Sequence, residues 1–292
     1  MILSTKNTLF PRKIDLFMVW ILRVIAAIVG AIFLLILTFL VIESLPVFRK
    51  VGILPFLTDA DWHPTEGLYN ITPMIAGTLL VVTGAVLLAV TLGILSALFC
   101  HYYAPKPMAN LYRRLLELLA GIPGVVYGFW GLVVLVPMIN RFHPPGTSLL
   151  AGILLLALLI VPTIALTLDA SMTGIPQEYL QAAASLGLSR WGTVWGVVLP
   201  AVRLGLFTSI ILGTGRALGE TMIVLMVCGN VVQLPGSIFD PIRTLPANIA
   251  LEMSFAQGNH RAALFVSGLL LMGTSLILVL VAEAIAEKEL YS

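Results

Sequence analysis

Cysteine, charge and recognisable catalytic motifs are all scarce in this chain. Only two of its 292 residues are cysteine, Cys100 and Cys228, too few for a disulfide framework. No Gly-Lys dipeptide occurs anywhere, so there is no P-loop of the form Gly-x4-Gly-Lys-Ser/Thr to bind ATP. Any ATP-derived energy must come from another chain. There is no His-Glu-x-x-His motif and no Gly-x-Ser-x-Gly elbow, which removes the simplest routes to an intramembrane protease or esterase. His63, His101, His143 and His260 are scattered across connecting segments without metal-ligand spacing, and are expected to be ordinary surface or interfacial histidines. Charged residues make up 10% of the chain, against about 25% in soluble domains. The net charge of +2 and the dispersed Lys and Arg give no footprint for a nucleic acid.

Apolar residues fill the space that charge leaves. They form 59% of the sequence, and mean hydropathy is +1.05, which excludes a soluble globular domain. A bilayer crossing takes about 20 apolar residues, and ionisable groups are costly at its centre. Runs free of Asp, Glu, Lys, Arg and His therefore mark the spans: Val24 to Ile42, Gly67 to Cys100, Leu118 to Asn140, Pro144 to Leu168 and Ala262 to Ala282. Leu204 to Gly229 is equally apolar but contains Arg216 and Glu220. The expectation is an all-α polytopic membrane protein with six transmembrane helices. The first is a retained span, because it is too long for a signal-peptide core and lacks a small-residue cleavage site. The two cysteines then fall toward opposite membrane faces.

Lys and Arg counts set the orientation. With the N-terminus inside, the cytoplasmic set is Lys6, Arg12, Lys13, Arg23, Lys106, Arg113, Arg114, Arg190, Arg203 and Lys288, and the outer set is Arg49, Lys50, Arg141, Arg243 and Arg261. Both termini are expected in the cytoplasm. Residues 43–66, with Pro46, Pro55 and Pro64, read as an outer loop whose Trp62 suits a headgroup-level anchor. The second run is long enough that Leu68 to Pro73 should lie at the outer interface, with Pro73 near the helix start. A polar outer connection carries Asn230, Gln233, Asp240, Arg243, Asn248 and Glu252. Pro235, Pro241 and Pro246 make it an ordered, folded-back segment, either a solvated loop or a gate or docking surface.

Two segments carry mechanism. The connection Asp169 to Arg203 reads as a helical hairpin. Pro176 suits a first helical turn, Gly187 a left-handed C-terminal cap and Ser189 an N-cap, and Pro200 ends the second helix. Tyr179, Leu180, Leu186, Trp191, Val194 and Trp195 make it apolar on one side, so either a lipid surface or a protein partner covers it. The second segment is Gly213-Thr214-Gly215-Arg216-Ala217-Leu218-Gly219-Glu220-Thr221. Arg216 lies roughly 18 Å along a helix from Leu204, near the bilayer midplane. Four residues apart, Arg216 and Glu220 would share a helix face and pair. The pair is either a packing device or an anion site, since a guanidinium fork matches a tetrahedral oxyanion. Gly121, Pro123, Gly124, Gly128 and Gly131 argue against a stiff third helix, with Pro123 withholding one backbone donor.

Gln181-Ala182-Ala183, then Gly187, then Val197-Val198-Leu199-Pro200 resembles the Glu-Ala-Ala loop of ABC importer permeases at every spacing, with Gln181 in place of Glu and Val197 in place of Ile. Gly-Arg-Ala-Leu-Gly-Glu-Thr over 215–221, with Met222 and Gly229-Asn230, and the run Glu117 to Leu132 resemble the phosphate-specific permeases, closer to the PstC-type subunit than to its PstA-type partner. Serine is usual at the position of Gly124. The likeness covers residues 60 to 285.

This resemblance implies a type I ABC importer permease fold and half of a phosphate translocation pore in the cell inner membrane. Residues 1–66 would hold the tail, first helix and outer loop, 67–285 the transmembrane domain with its coupling hairpin at 169–203, and 286–292 a cytoplasmic tail. It further implies a PstA-type partner, two ATPase subunits that bind ATP and Mg, and an extracytoplasmic phosphate-binding protein, with no cofactor in this chain. Arg216, Glu220, Thr214 and Thr221 would line the substrate path. Gly121, Pro123, Gly124 and Gly128 would give the pore helix flexibility. Gln181, Ala182, Ala183, Gly187, Leu199 and Pro200 would couple to the ATPase. Alternatives are a permease for sulfate, molybdate or phosphonate, and a non-transporting membrane scaffold or sensor.

Overall fold

A computed structural model describes residues 12–290; residues 1–11 and 291–292, and with them Lys6 and the end of the expected tail at 286–292, lie outside the described residues. Helix α1 spans Arg12–Val51, 40 residues, or about 60 Å at 1.5 Å per residue. That is twice the ~30 Å hydrocarbon thickness of a bilayer. It continues through Pro46, so the start of the expected loop at 43–66 is helical instead. The rest of that segment is also ordered, as α2 (Pro55–Thr58) and a hairpin of β1 (Trp62–His63) and β2 (Leu68–Tyr69), with Trp62 opposite Tyr69. Helix α3 (Thr72–Leu98) begins where expected, with Pro73 in its first turn, and ends in a π-helical turn at Phe99–Tyr103.

The third apolar run is not one kinked helix. It divides into α4 (Lys106–Gly121), α5 (Gly124–Trp130), a π-helical stretch at Gly131–Leu135 and α6 (Val136–Asn140), and the rods on either side of Ile122-Pro123 are bent by 93°. Pro123 occupies the N-cap of α5 in an extended conformation, which a proline restricts no further and a helix interior excludes. Helix α7 spans Leu149–Thr173, starting later and ending later than the charge-free run, because Ser148 caps its N-terminus by accepting from the Ala151 amide at 3.2 Å.

The hairpin follows as α8 (Gln177–Ser185), α9 (Arg190–Thr193), a π-helical turn at Val194–Val198 and α10 (Leu199–Ala201). Its punctuation matches the sequence. Gly187 closes α8 with φ +70°, and the Ser189 hydroxyl accepts from the Gly192 amide at 3.1 Å. The chain breaks after Ala201 rather than at Pro200 and turns by 71° into α11 (Arg203–Leu218). The fifth apolar run is likewise interrupted: α11 stops at Leu218, and a separate α12 covers Met222–Val227. Helices α13 (Leu245–Glu252) and α14 (Gly258–Leu290) complete the chain. Among the described residues, four helices are long and apolar enough to cross a membrane, or six counting each bent pair as one span.

Helix α7 is the axis of the bundle. Leu155, Leu156, Leu159, Ile160, Ile164 and Leu168 are all at most 1% exposed. Helix α3 runs parallel to it, with Gly84 beside Ile153 and Gly93 beside Ile164. Helix α11 runs the other way, with Gly205 at Ser171 and Gly213 at Ile164. Helix α1 lies at the periphery, mainly against α14, through an edge-on contact of Phe39 with Phe265, and its end packs on α2 through Phe48 and Phe56. Cys100 and Cys228 are buried at opposite ends of the bundle.

The connection after α12 is folded back, as its prolines suggested, and its polar residues are tied into hydrogen bonds, with Asn248 buried and Asn230, Gln233, Asp240, Arg243 and Glu252 partly exposed. Asn230 and Ile242 are joined through the Asn230 amide at 3.0 Å, and the Ile242 amide donates to the Cys228 carbonyl at 2.9 Å. Glu252 is the hub of this end. It accepts from Arg243 Nη1 at 2.6 Å and from the Trp62 indole at 3.0 Å, and His260 Nε2 lies 2.8 Å from it. Trp62 is only 3% exposed, so it is an internal fastener rather than a headgroup anchor, and His260 is buried rather than a surface histidine. Replacing Glu252 with Ala would leave Arg243 facing no carboxylate. The expected loss is about 3 kcal/mol of stability, read as a lower Tm of the detergent-solubilised protein.

Candidate functional site at two helix breaks

The breaks in the third and fifth apolar runs lie against each other. Arg216, in the last turn of α11, points its guanidinium at α4 and α7: Nη1 donates to Thr163 Oγ1 at 2.9 Å and Nη2 to the Ala120 carbonyl at 3.2 Å. Ala120 is in the last turn of α4, where carbonyls lack helical partners and the helix dipole is negative, so a cation is stabilised there. Thr163 lies 14 residues after the start of α7 and 10 before its end. This places Arg216 near mid-bundle, roughly 15 to 21 Å from either end of that helix.

Glu220 does not pair with Arg216. Helix α11 ends before it, so the i to i+4 geometry is never formed, and no ion pair joins the two among the described residues. Instead the Glu220 carboxylate caps α12, accepting from the Met222 amide at 2.9 Å and the Ile223 amide at 3.2 Å. It also nests against Gly124, the first residue of α5, where a Cβ would stand 2.8 Å from its Cδ. Serine at this position, usual in the resembled family, would have to displace the carboxylate. Each charge is thus held by helix ends of opposite polarity, which explains how both are tolerated inside an apolar bundle.

The other expected path residues are dispersed. The Thr214 hydroxyl donates back to the Ile210 carbonyl at 2.8 Å. Thr221 lines a separate groove with Leu218, Pro246, Ile249 and Met272, between the helix break and α13 and α14. The glycines of the third run divide by role. Gly128 touches α12, where a Cβ would stand 3.2 Å from the Met222 carbonyl and 3.3 Å from Ile223 Cα. Around Gly121 a Cβ would meet nothing within 4 Å.

The hairpin presents what the sequence suggested. Tyr179, Leu186, Trp191 and Trp195 are exposed, as are Gln181, Ala182 and Pro200, whereas Ala183 is buried. Val194 and Val198 fasten the hairpin to Leu168 and Met172 of α7. Beside them lies a cluster that motif reading missed: Arg113 donates to Asp169 through Nε at 2.7 Å and Nη2 at 2.9 Å, and His101 Nδ1 lies 3.3 Å from the same carboxylate. His101 is therefore not a free surface histidine. Thr163 and Asp169 had detectable signals, a hydroxyl after Pro162 inside a leucine-rich run and an acid at the end of that run.

Comparison with known proteins agrees with the architecture. A probable ABC transporter permease protein, YqgH, from Bacillus subtilis is 37% identical over 258 residues, covering 86% of this chain and 84% of the relative. The phosphate transport system permease protein PstC of Haemophilus influenzae is 32% identical over 296 residues, covering 94% and 91%. Among solved structures, a bacterial ABC transporter that imports the acidic polysaccharide alginate superposes with a TM-score of 0.67 at 14% identity, over 94% of this chain and 97% of that one. That likeness concerns the fold, which is the type I ABC importer permease fold. Residues 89–289 match the family described as binding-protein-dependent transport system inner membrane component. The chain belongs to that family and is a multi-pass inner-membrane permease subunit of an ABC importer.

Proposed function

We propose that this chain is the PstC-type half of an ATP-driven phosphate importer. The observation that carries the reading is the state of Arg216. A guanidinium has five N–H donors. Its bonds to Thr163 and Ala120 engage Nη1 and Nη2 once each, which leaves donors for an oxyanion at the level where two helices break. The PstC relatives support phosphate as that oxyanion. A cation held by a hydroxyl and a helix end needs no carboxylate partner, so an arriving anion would not first have to displace Glu220. Binding there should be weak enough for release.

The permease would pair with a PstA-type subunit, two ATPase subunits holding ATP and Mg, and an extracytoplasmic phosphate-binding protein. The excess of Lys and Arg at the hairpin end supports a cytoplasmic location for that end and for both termini. The exposed face of α8, with Gln181 and Ala182, and the flanking Gly187, Leu199 and Pro200 would meet the ATPase. Uncharged Gln181 would contribute hydrogen bonds there, not an ion pair. Arg216 and Glu220, with Thr214 and Thr221 at its margins, would line the path. The breaks at Ile122-Pro123 and at Gly219 would let its walls move, with Gly128 maintaining the contact to α12.

Uptake by the reconstituted complex under competition tests the substrate. Unlabelled phosphate should suppress labelled phosphate uptake, while sulfate, molybdate and phosphonate at the same concentration leave it nearly unchanged. Equal suppression by sulfate would assign the pore to another oxyanion.

A further inference from the structure

Helix α4 is tied to α7 at two levels. At one, the Ala120 carbonyl and the Thr163 hydroxyl share the Arg216 guanidinium. Seven residues earlier on α4 and six later on α7, Arg113 grips Asp169 with two parallel hydrogen bonds. The spacing along each helix is about 10 Å, so the two ties form rungs of one ladder. The Asp169 side chain is only 12% exposed, and a two-pronged contact fixes orientation as well as distance.

The lower rung also adjoins the hairpin. His101, on the π-helical turn after α3, reaches the same carboxylate. On its other side His101 lines a cleft of about 360 Å³ with Tyr102, Leu180, Ala184, Leu188 and Arg190, so α8 and α9 form the opposite wall. Leu168 and Met172, which flank Asp169 on α7, receive Val194 and Val198 of the hairpin. A displacement of the hairpin is therefore felt at Asp169 through two sets of contacts, while α11, which continues directly from the hairpin, carries Arg216.

We propose that the Arg113–Asp169 pair is a positioning pair that makes α4 follow α7 and the hairpin, and thereby holds the Ala120 carbonyl against Arg216. Neither residue touches substrate. Their function is to keep the guanidinium site in step with the hairpin, and the inference rests on the transport reading above. Spatial succession alone does not establish coupling. A double-mutant cycle with a coupling readout does.

The experiment uses the complete importer in proteoliposomes with Arg113→Gln, Asp169→Asn and the double variant, and reads anion transported per ATP hydrolysed. Each single change leaves a charge facing a neutral partner, and should lower that ratio by roughly tenfold while hydrolysis stays within about twofold of wild type. The double variant, with a neutral amide pair and no stranded charge, should be no worse than either single. Ratios equal to wild type would overturn the proposal. So would complexes that fail to assemble, or that lose hydrolysis and uptake together, because the pair would then serve packing alone. The ratio is read for whichever anion the wild-type complex accumulates, so a wrong substrate assignment shows in the wild type and a wrong role for the pair only in the variants.

Discussion

Arg216→Lys is expected to lower phosphate uptake by at least about tenfold while ATP hydrolysis by the complex continues. Lysine keeps the positive charge, so electrostatics at the end of α4 are largely preserved. It loses the geometry, because one ammonium on a shorter head cannot reach Thr163 Oγ1 and the Ala120 carbonyl as two separate nitrogens do now. It also has three donors in place of five, with none arranged as a planar fork. Arg216→Gln should be worse, since charge goes as well. Glu220→Gln should be milder than either: its amide oxygen can still accept from the Met222 and Ile223 amides, so the cap of α12 survives. If Arg216→Lys transports normally, the arginine is a packing element.

The second large effect is expected at Gly128. A Cβ there meets the Met222 carbonyl and Ile223 Cα, which are backbone and cannot swing aside, besides Met226 Sδ at 2.9 Å. Gly128→Val should therefore push α5 away from α12 and carry the seat of Glu220 with it. Overpacking of this kind costs about 1–3 kcal/mol, and uptake should fall with it. Gly121→Ala is the contrast, since its Cβ would meet nothing. If both glycines acted through chain flexibility, Gly128→Ala and Gly121→Ala would impair uptake alike. Close packing predicts that Gly128→Ala lowers both Tm and uptake and that Gly121→Ala leaves both near wild type.

Local chemistry was legible in the sequence where a residue acts on its own neighbourhood. Ser189 and Gly187 placed the turns of the hairpin because an N-cap hydroxyl and a left-handed glycine work within a few residues. Charge-free runs found the spans because the penalty for a buried charge holds everywhere along a crossing. Continuity of those spans was not legible. Arg216 and Glu220 at a spacing of four looked like a pair on one helix face, yet the helix stops at Leu218 and each charge is met by another helix end. What decided the matter was tertiary: Ala120 and Thr163 lie 96 and 53 residues away in sequence, and no local signal announces that they converge on Arg216. Trp62 was misplaced for the same reason. An indole suits a membrane interface, but its actual partner, Glu252, is 190 residues distant.

The central claim is that this chain lines a path along which ATP drives phosphate. The most direct measurement is accumulation of labelled phosphate by proteoliposomes containing the chain with its permease partner, ATPase and binding protein. The account predicts accumulation above the external concentration when ATP is supplied to the ATPase side, and none with a non-hydrolysable ATP analogue. Accumulation that is indifferent to ATP, or a complex that concentrates another oxyanion and ignores phosphate, would contradict it.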